Sequence, residues 1–336
     1  MKIFITGIAG FLGRHLADKF LNLGHEVIGC DDLSGGDLDN LPNESIFYKI
    51  DCKNFYAIKE IFSKHKPEVI FHCAATPHEG FSIFSPSLIT KNIFESSVSI
   101  FSAAIATKAK KIIFCSSMAR YGSQNNPFYE SFTPQPIDPY GIAKVASEDV
   151  LLTLCKVHEV NYSIAVPHNI VGPYQKYDDP YRNVMSIMLN RMLQNKPPII
   201  YGDGEQTRCF SYIDDCITCL EQMAYDNNTN HQIINIGPDE GEVTINRLAE
   251  LCANEVGFNG EPIYYKKGRP QEVKHATCNS DKARKLLNYK TKYSLQDAIR
   301  ETAKYIRSRG PKDFKYYLDI EINNEKTPLT WTEKKF

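Results

Sequence analysis

No apolar run approaches the ~20 residues that a membrane-spanning helix needs. The chain also lacks an excess of one charge. Its 39 Lys and Arg stand against 40 Asp and Glu, a net charge of −1. That balance excludes the broad electrostatic footprint of a nucleic-acid binder or an anionic-membrane binder, while leaving room for local basic pockets. A strand pattern beginning at Lys2 leaves no room for a signal peptide, and the expectation is a cytoplasmic protein. Internal repeats and low-complexity tracts are absent. Ten cysteines occur, but only Cys216 and Cys219 form a CxxC, within the helix-like "DDCITCLEQM" and without a second pair. Reduced, buried thiols are expected, and no metal site.

What is present is an ordinary globular composition, 42% hydrophobic and 24% charged over 336 residues, enough for two domains or one large α/β unit. Short apolar runs alternate with amphipathic stretches: "KIFIT" (2–6), "EVIGCDD" (26–32), "SIFYKID" (45–51), "EVIFHCAA" (68–75), "KKIIFCSS" (110–117) and "NYSIAVPHN" (161–169). Long helical patterns cover about 87–108 and 139–158. Such alternation predicts an α/β fold, a doubly wound Rossmann parallel sheet covered on both faces. After about residue 168, Pro, Gly and Tyr cluster, which predicts a smaller α+β domain. The expected division is 1–167 for cofactor binding, with a return to that domain around 210–240, and 168–310 mainly for substrate. Helices are expected from the Thr244 cap over 244–256, near 280–287 and over 294–307. The polar tail, 311–336, either wraps the surface or is partly disordered.

"TGIAGFLG" places Gly7, Gly10 and Gly13 directly after the first strand and at the mouth of the first helix. Glycines there permit a tight turn, and the helix N-terminus offers free N–H groups to a pyrophosphate. Asp31 lies 18 residues beyond Gly13 at the tip of the second strand. A carboxylate there accepts the ribose hydroxyls of an adenosine and repels a 2′-phosphate, so the cofactor expected is NAD rather than NADP. Asp32 strengthens the repulsion. Asp51 and Cys52 end the next strand, where an acid can meet the adenine amino group or simply make a turn.

In "DPYGIAKVASE", Tyr140 and Lys144 are one helical turn apart and share a face. An ammonium beside a phenol favours phenolate, which fits tyrosine to act as a base. Ser117, 23 residues upstream in "CSSMARYG" at a strand tip, can share the proton.

Over about residues 1–305 these features resemble the extended branch of the short-chain dehydrogenase/reductase superfamily, the nucleotide-sugar epimerases and dehydratases. The resemblance rests on "TGIAGFLG", Asp31, "FHCAA" (71–75), "SSMARYG", "PYGIAK" (139–144), "PHNIVGP" (167–173) and "GDGEQTRCFSYIDD" (202–215), in that order and spacing. It implies Ser117, Tyr140 and Lys144 as the catalytic set, with Lys144 also holding the nicotinamide ribose. It adds Phe11, Leu12, Ala74, Ala75 and Pro167 to the cofactor contacts. Asn169, Asn183, Tyr201, Arg208, Arg269 and Glu272 resemble the family's contacts to a nucleotide diphosphate-sugar, a UDP-sugar above all. Glu272 falls where an acid meets the nucleotide ribose. Two arginines aimed at a diphosphate make chemical sense, because bidentate charged hydrogen bonds suit phosphate oxygens. The resemblance further implies a homodimer formed through the helices at about 87–108 and 144–158.

Dehydratases of that family carry Asp-Glu after the catalytic Ser or Thr, and decarboxylases carry Glu. Met118 and Ala119 stand there in this chain, and neither transfers a proton. The apolar pair fits C4 epimerisation, which needs only Tyr140 and NAD: the 4-hydroxyl is oxidised, the 4-keto sugar turns its other face, and it is reduced again. One-way 4-oxidation or 4-ketoreduction uses the same residues, and a non-catalytic NAD-binding protein shares the fold. Ala276, seven residues after Arg269, is expected to leave room for an N-acetyl group as well as for glucose or galactose. His78 and Glu79 sit on the loop after the fourth strand, and either touch sugar hydroxyls or order the loop. Arg120 is expected to meet a sugar carboxylate or an acid of the protein.

Overall fold

The computed structural model describes residues 1–336. Seven strands form its main sheet: β1 (Lys2–Thr6), β2 (Glu26–Asp31), β3 (Ile46–Lys49), β4 (Val69–His72), β5 (Lys111–Cys115), β6 (Asn161–Pro167) and β7 (Gln232–Ile236). They are all parallel, in the order β7-β6-β5-β4-β1-β2-β3. The chain starts in the middle, runs out to β3, then crosses back to β4, so the sheet is doubly wound Rossmann. Strands buried on both faces need no polar alternation, and all five residues of β5 are buried. The crossover leaves a crevice at the carboxyl ends of β1 and β4, where such sheets place ligands.

Helices α1 (Phe11–Asn22), α2 (Phe55–His65), α3 (Ser96–Ala106), α4 (Pro139–His158), α5 (Val184–Leu193), α6 (Ile213–Tyr225), α7 (Ile245–Val256), α8 (Asp281–Leu287) and α9 (Leu295–Arg309) complete the framework. On one face of the sheet α1 packs against α6; on the other, α2, α3 and α4 stand side by side. Away from the sheet, α5, α7 and α9 pack on one another and carry the short strands at 199–201, 207–208, 263–265 and 275–276. Local chemistry sets the ends. Asp138 caps α4 by accepting from the Gly141 amide at 2.9 Å, with Pro139 at the first helical position. Thr244 caps α7 by accepting from the Arg247 amide at 3.1 Å.

Two features depart from the sequence reading, and a third decides between its two alternatives for the tail. The short apolar run "QIINI" forms β7, beside β6. The helical pattern at 87–108 runs unbroken from Pro86 to Ala106, but its Lys91–Glu95 stretch, just before α3, is π-helical. A π-turn widens the helix and re-aims its side chains, and Asn92 uses it to reach Lys53 and Thr76 at 2.7 and 3.1 Å. The tail is ordered. Trp331 is buried against Phe81, Phe84 and Tyr181, and the Glu321 carboxylate accepts from the Ser87 and Leu88 amides at 2.9 and 2.8 Å.

Candidate active site

A cleft of about 560 Å³ runs along the carboxyl ends of the strands, between the sheet and the smaller domain. Every cofactor residue expected from sequence lines it: Gly7, Gly10, Phe11, Leu12, Gly13, Asp31, Asp51, Cys52, Ala74, Ala75 and Pro167. Its floor begins at the β1–α1 turn. Gly7 has φ +69 and donates to the Cys30 carbonyl at 2.8 Å. A Cβ on Gly13 would sit 2.1 Å from the Gly7 carbonyl oxygen, so only glycine lets α1 start this close to the turn. Asp31 is buried at the tip of β2, its carboxylate accepting from the Ala9 amide at 3.1 Å and the Leu33 amide at 2.8 Å. Burial raises its carboxyl, and the two amides pull it back. Two carboxylate oxygens offer about four lone-pair sites, so acceptor capacity remains for a ribose diol. These residues fit NAD: a turn of backbone amides for its pyrophosphate and an acid for its adenosine ribose.

At the reacting end, α4 presents Tyr140, Lys144 and Glu148 along one face. The Lys144 Nζ donates to the Cys115 carbonyl at 2.7 Å and lies 6.0 Å from the Tyr140 ring centroid. Burial brings Lys144 down to about 8. Burial also pushes the Tyr140 phenol well above its ordinary value; the nearby Ser117 hydroxyl pulls it down, while Glu79 and Asp138 add to the rise. Burial of the ring is thus the largest influence on the phenol. Ser117 follows β5, and its Oγ also accepts from the Ala119 amide at 3.2 Å.

The substrate end is built by both domains. Asn169, at φ +43, donates to the Cys209 carbonyl at 2.9 Å. Asn183 caps α5 through the Met185 amide at 3.0 Å. Arg269 Nη2 meets Glu272 at 2.6 Å, and Arg208 approaches the same carboxylate at 3.9 Å. Burial works against the Glu272 carboxylate, but the two arginines win and hold it below the usual range. Glu272 thus ties the two guanidiniums together. The Tyr201 ring lies 5.4 Å from the Arg269 guanidinium, and its hydroxyl meets Thr330 of the tail. All six line the cleft.

Ala276 does not line the cleft. It is buried in a two-residue strand beside Arg208, in the cluster that holds Phe128 and Cys278. Neither His275 nor Thr277 beside it lines the cleft, so the lining ends at Val273 and the whole strand turns away from the sugar. His78 reaches the cleft wall but is turned to the smaller domain, where its Nε2 meets Asp179 at 2.9 Å. Its neighbour Glu79 opens into the cleft instead. Arg120 meets neither sugar nor solvent and pairs with buried Glu148. No motif or spacing pointed to Arg182 or to the tail residues Tyr317, Leu318, Trp331 and Phe336, all of which line the cleft. All ten cysteines are free, and nine are buried.

The chain resembles solved structures over most of its length. A UDP-glucose 4-epimerase from Thermotoga maritima, solved with UDP-glucose, is 31% identical and superposes with a TM-score of 0.88, over 92% of this chain and 99% of that one. A UDP-glucuronic acid 4-epimerase from Bacillus cereus, solved with UDP-glucuronic acid and NAD, is 28% identical with a TM-score of 0.85, over 92% and 100%. Among sequences, a UDP-glucose 4-epimerase of Mycolicibacterium smegmatis is 29% identical over 92% of this chain and 100% of its own length. The model of the NAD dependent epimerase/dehydratase family matches residues 3–237, from β1 through β7, and the chain belongs to that family.

Proposed function

We propose that this protein is a UDP-sugar 4-epimerase that interconverts UDP-glucose and UDP-galactose, or their N-acetyl forms, with NAD held in the cleft. The observation that carries this reading is the reacting end itself. Ser117, Tyr140 and Lys144 converge there, while the positions after Ser117 hold Met118 and buried Ala119. Neither of these two positions after Ser117 holds an acid that could protonate a leaving hydroxyl.

Gly7, Gly10 and Gly13 would seat the pyrophosphate, Asp31 the adenosine ribose, and Lys144 the nicotinamide ribose. NAD, when bound, supplies a two-electron acceptor that takes hydride from a sugar carbon and can return it. Tyr140 takes the proton of the sugar 4-hydroxyl and later gives it back to the 4-keto oxygen. Ser117 stays hydrogen-bonded to the phenol and shares the proton. Arg208 and Arg269 hold the diphosphate, so the 4-keto sugar can turn over without leaving. Asn169, Asn183 and Tyr201 complete the nucleotide end.

The test is incubation of purified protein with UDP-sugars, without added NAD, read by NMR. C4 epimers should form, and Tyr140→Phe should slow them about a hundred- to ten-thousand-fold, the range for loss of a general base. Equal rates for wild type and Tyr140→Phe would end the proposal. A requirement for stoichiometric NAD would instead indicate a one-way dehydrogenase.

A further inference from the structure

We propose that Glu79 selects the sugar: its carboxylate accepts hydrogen bonds from the hydroxyls of a neutral hexose and turns away a sugar that bears a carboxylate. The inference rests on the epimerase reading above and adds to it which UDP-sugars the site admits.

Position is the first argument. Glu79 begins the short turn Glu79–Ser82 that follows β4. Its backbone carbonyl accepts from the Ser82 hydroxyl at 2.6 Å, but its carboxylate has no hydrogen-bond or ion-pair partner in the chain. It opens into the cleft, reachable by the water there yet ringed by protein. His78 beside it is spent on Asp179.

The second argument is what faces it. Asp138, Tyr140, Arg208, Arg269 and Glu272 line the same cleft as Glu79. The backbone beside it touches the same wall, since a Cβ on Gly80 would be 3.9 Å from Arg269 Nη1. Glu79 therefore shares the cleft with the phenol and the arginines, and its neighbour Gly80 lies beside Arg269. A UDP-sugar with its C4 at Tyr140 and its diphosphate at Arg208 and Arg269 must lay its ring across this carboxylate.

Chemistry supplies the third. An ionised carboxylate only accepts hydrogen bonds, and its two oxygens suit vicinal hydroxyls. A second carboxylate on the sugar would face Glu79 and Asp138 in a cleft where like charges are poorly screened. The cations of the cleft outside the diphosphate pair are already engaged: Arg182 approaches Asp179 at 3.9 Å, Lys144 donates to the Cys115 carbonyl at 2.7 Å, and Lys53 pairs with Asp51 at 3.0 Å. The surrounding cleft walls and the Asp138 charge raise the Glu79 carboxyl to about 7, so its charge is lost within the physiological range.

The experiment measures kcat and KM for UDP-glucose and UDP-glucuronate with wild type and Glu79→Gln, together with equilibrium binding of both nucleotides. Glu79→Gln should raise KM for UDP-glucose about tenfold, the loss expected for one charge-assisted hydrogen bond. It should narrow the preference for UDP-glucose over UDP-glucuronate by at least as much. In wild type, KM for UDP-glucose should climb as pH falls through about 7, and Glu79→Gln should flatten that climb. Unchanged KM, unchanged preference or a wild type that favours UDP-glucuronate would overturn the assignment. If no UDP-sugar is turned over, the epimerase reading fails, and the binding ratio of the two nucleotides still decides the role of Glu79.

Discussion

Arg120 and Glu148 face each other in the interior. The guanidinium Nε lies 3.1 and 3.2 Å from the two carboxylate oxygens, and Nη2 lies 3.0 Å from one of them. The pair joins the loop after β5, which carries Ser117, to the face of α4 that carries Tyr140 and Lys144. Ser116 donates to the same carboxylate. Three groups of the reacting end are thus held in register by one buried ion pair.

Removing one partner leaves the other charge buried, which costs about 3–5 kcal/mol. Arg120→Met and Glu148→Leu should each lower stability by about that amount in urea titrations. The double substitution should recover most of the loss, because no charge is then stranded. A double-variant loss equal to the sum of the two single losses would mean that the pair contributes nothing as a pair.

Asp31 gives a prediction confined to the cofactor. Asp31→Ala should weaken NAD binding about ten- to a hundredfold, as expected for a hydrogen bond to a charged acceptor, and should narrow discrimination against NADP. Binding titrations with both dinucleotides measure it. Undiminished affinity would remove Asp31 from the ribose site.

The tail makes a third case. Tyr317 donates to Asp179 at 2.7 Å, and Asp179 also meets His78 and the Tyr181 amide, at 2.9 Å each. Burial works against this carboxylate, but the His78 and Tyr317 bonds and the Arg182 charge hold it down at about 2. A depressed carboxyl stabilises the fold above its ordinary value near 3.8 and loses that contribution as pH falls toward 2. Tyr317→Phe should cost about 1.5 kcal/mol near neutral pH. The difference from wild type should shrink in acid melts between pH 4 and 2, where Asp179 becomes protonated.

The homodimer implied by the resemblance has its own test. A groove on the α3 side of the sheet is lined by Phe55, Phe94 and Val98, and Val157 at the end of α4 is 68% exposed. A chain of 38.2 kDa should sediment at about twice that mass, and Phe94→Asp should return it to the monomer. A monomeric wild type would contradict the dimer without touching the chemistry.

The cofactor end was legible because its signals are local. A strand, three glycines, an amphipathic helix and an acid at a strand tip each state their geometry within a few residues. Tyr140 and Lys144 were legible for the same reason, since helical spacing sets a shared face. Long-range pairing was not. Arg120 meets an acid 28 residues away, and nothing near it chose between that acid and a sugar. His78 and Glu79 are neighbours on a loop with no periodicity to say which one turns inward. Ala276 failed because its whole strand turns away from the cleft, which spacing from Arg269 does not show. The tail docks through Trp331 and Glu321, whose partners near Phe81 and Ser87 lie more than two hundred residues earlier. The five-residue run "QIINI" became β7 only because β6 offered an open edge.

The most direct measurement follows the hydrogen on C4. UDP-galactose carrying deuterium at C4 is incubated with the protein in ordinary water, without added NAD, and the product is read by NMR. The account predicts UDP-glucose, or for the N-acetyl substrate its C4 epimer, with the deuterium still on C4, because the same hydrogen leaves and returns while only the hydroxyl proton passes through Tyr140. A product whose C4 carries hydrogen from water would contradict it.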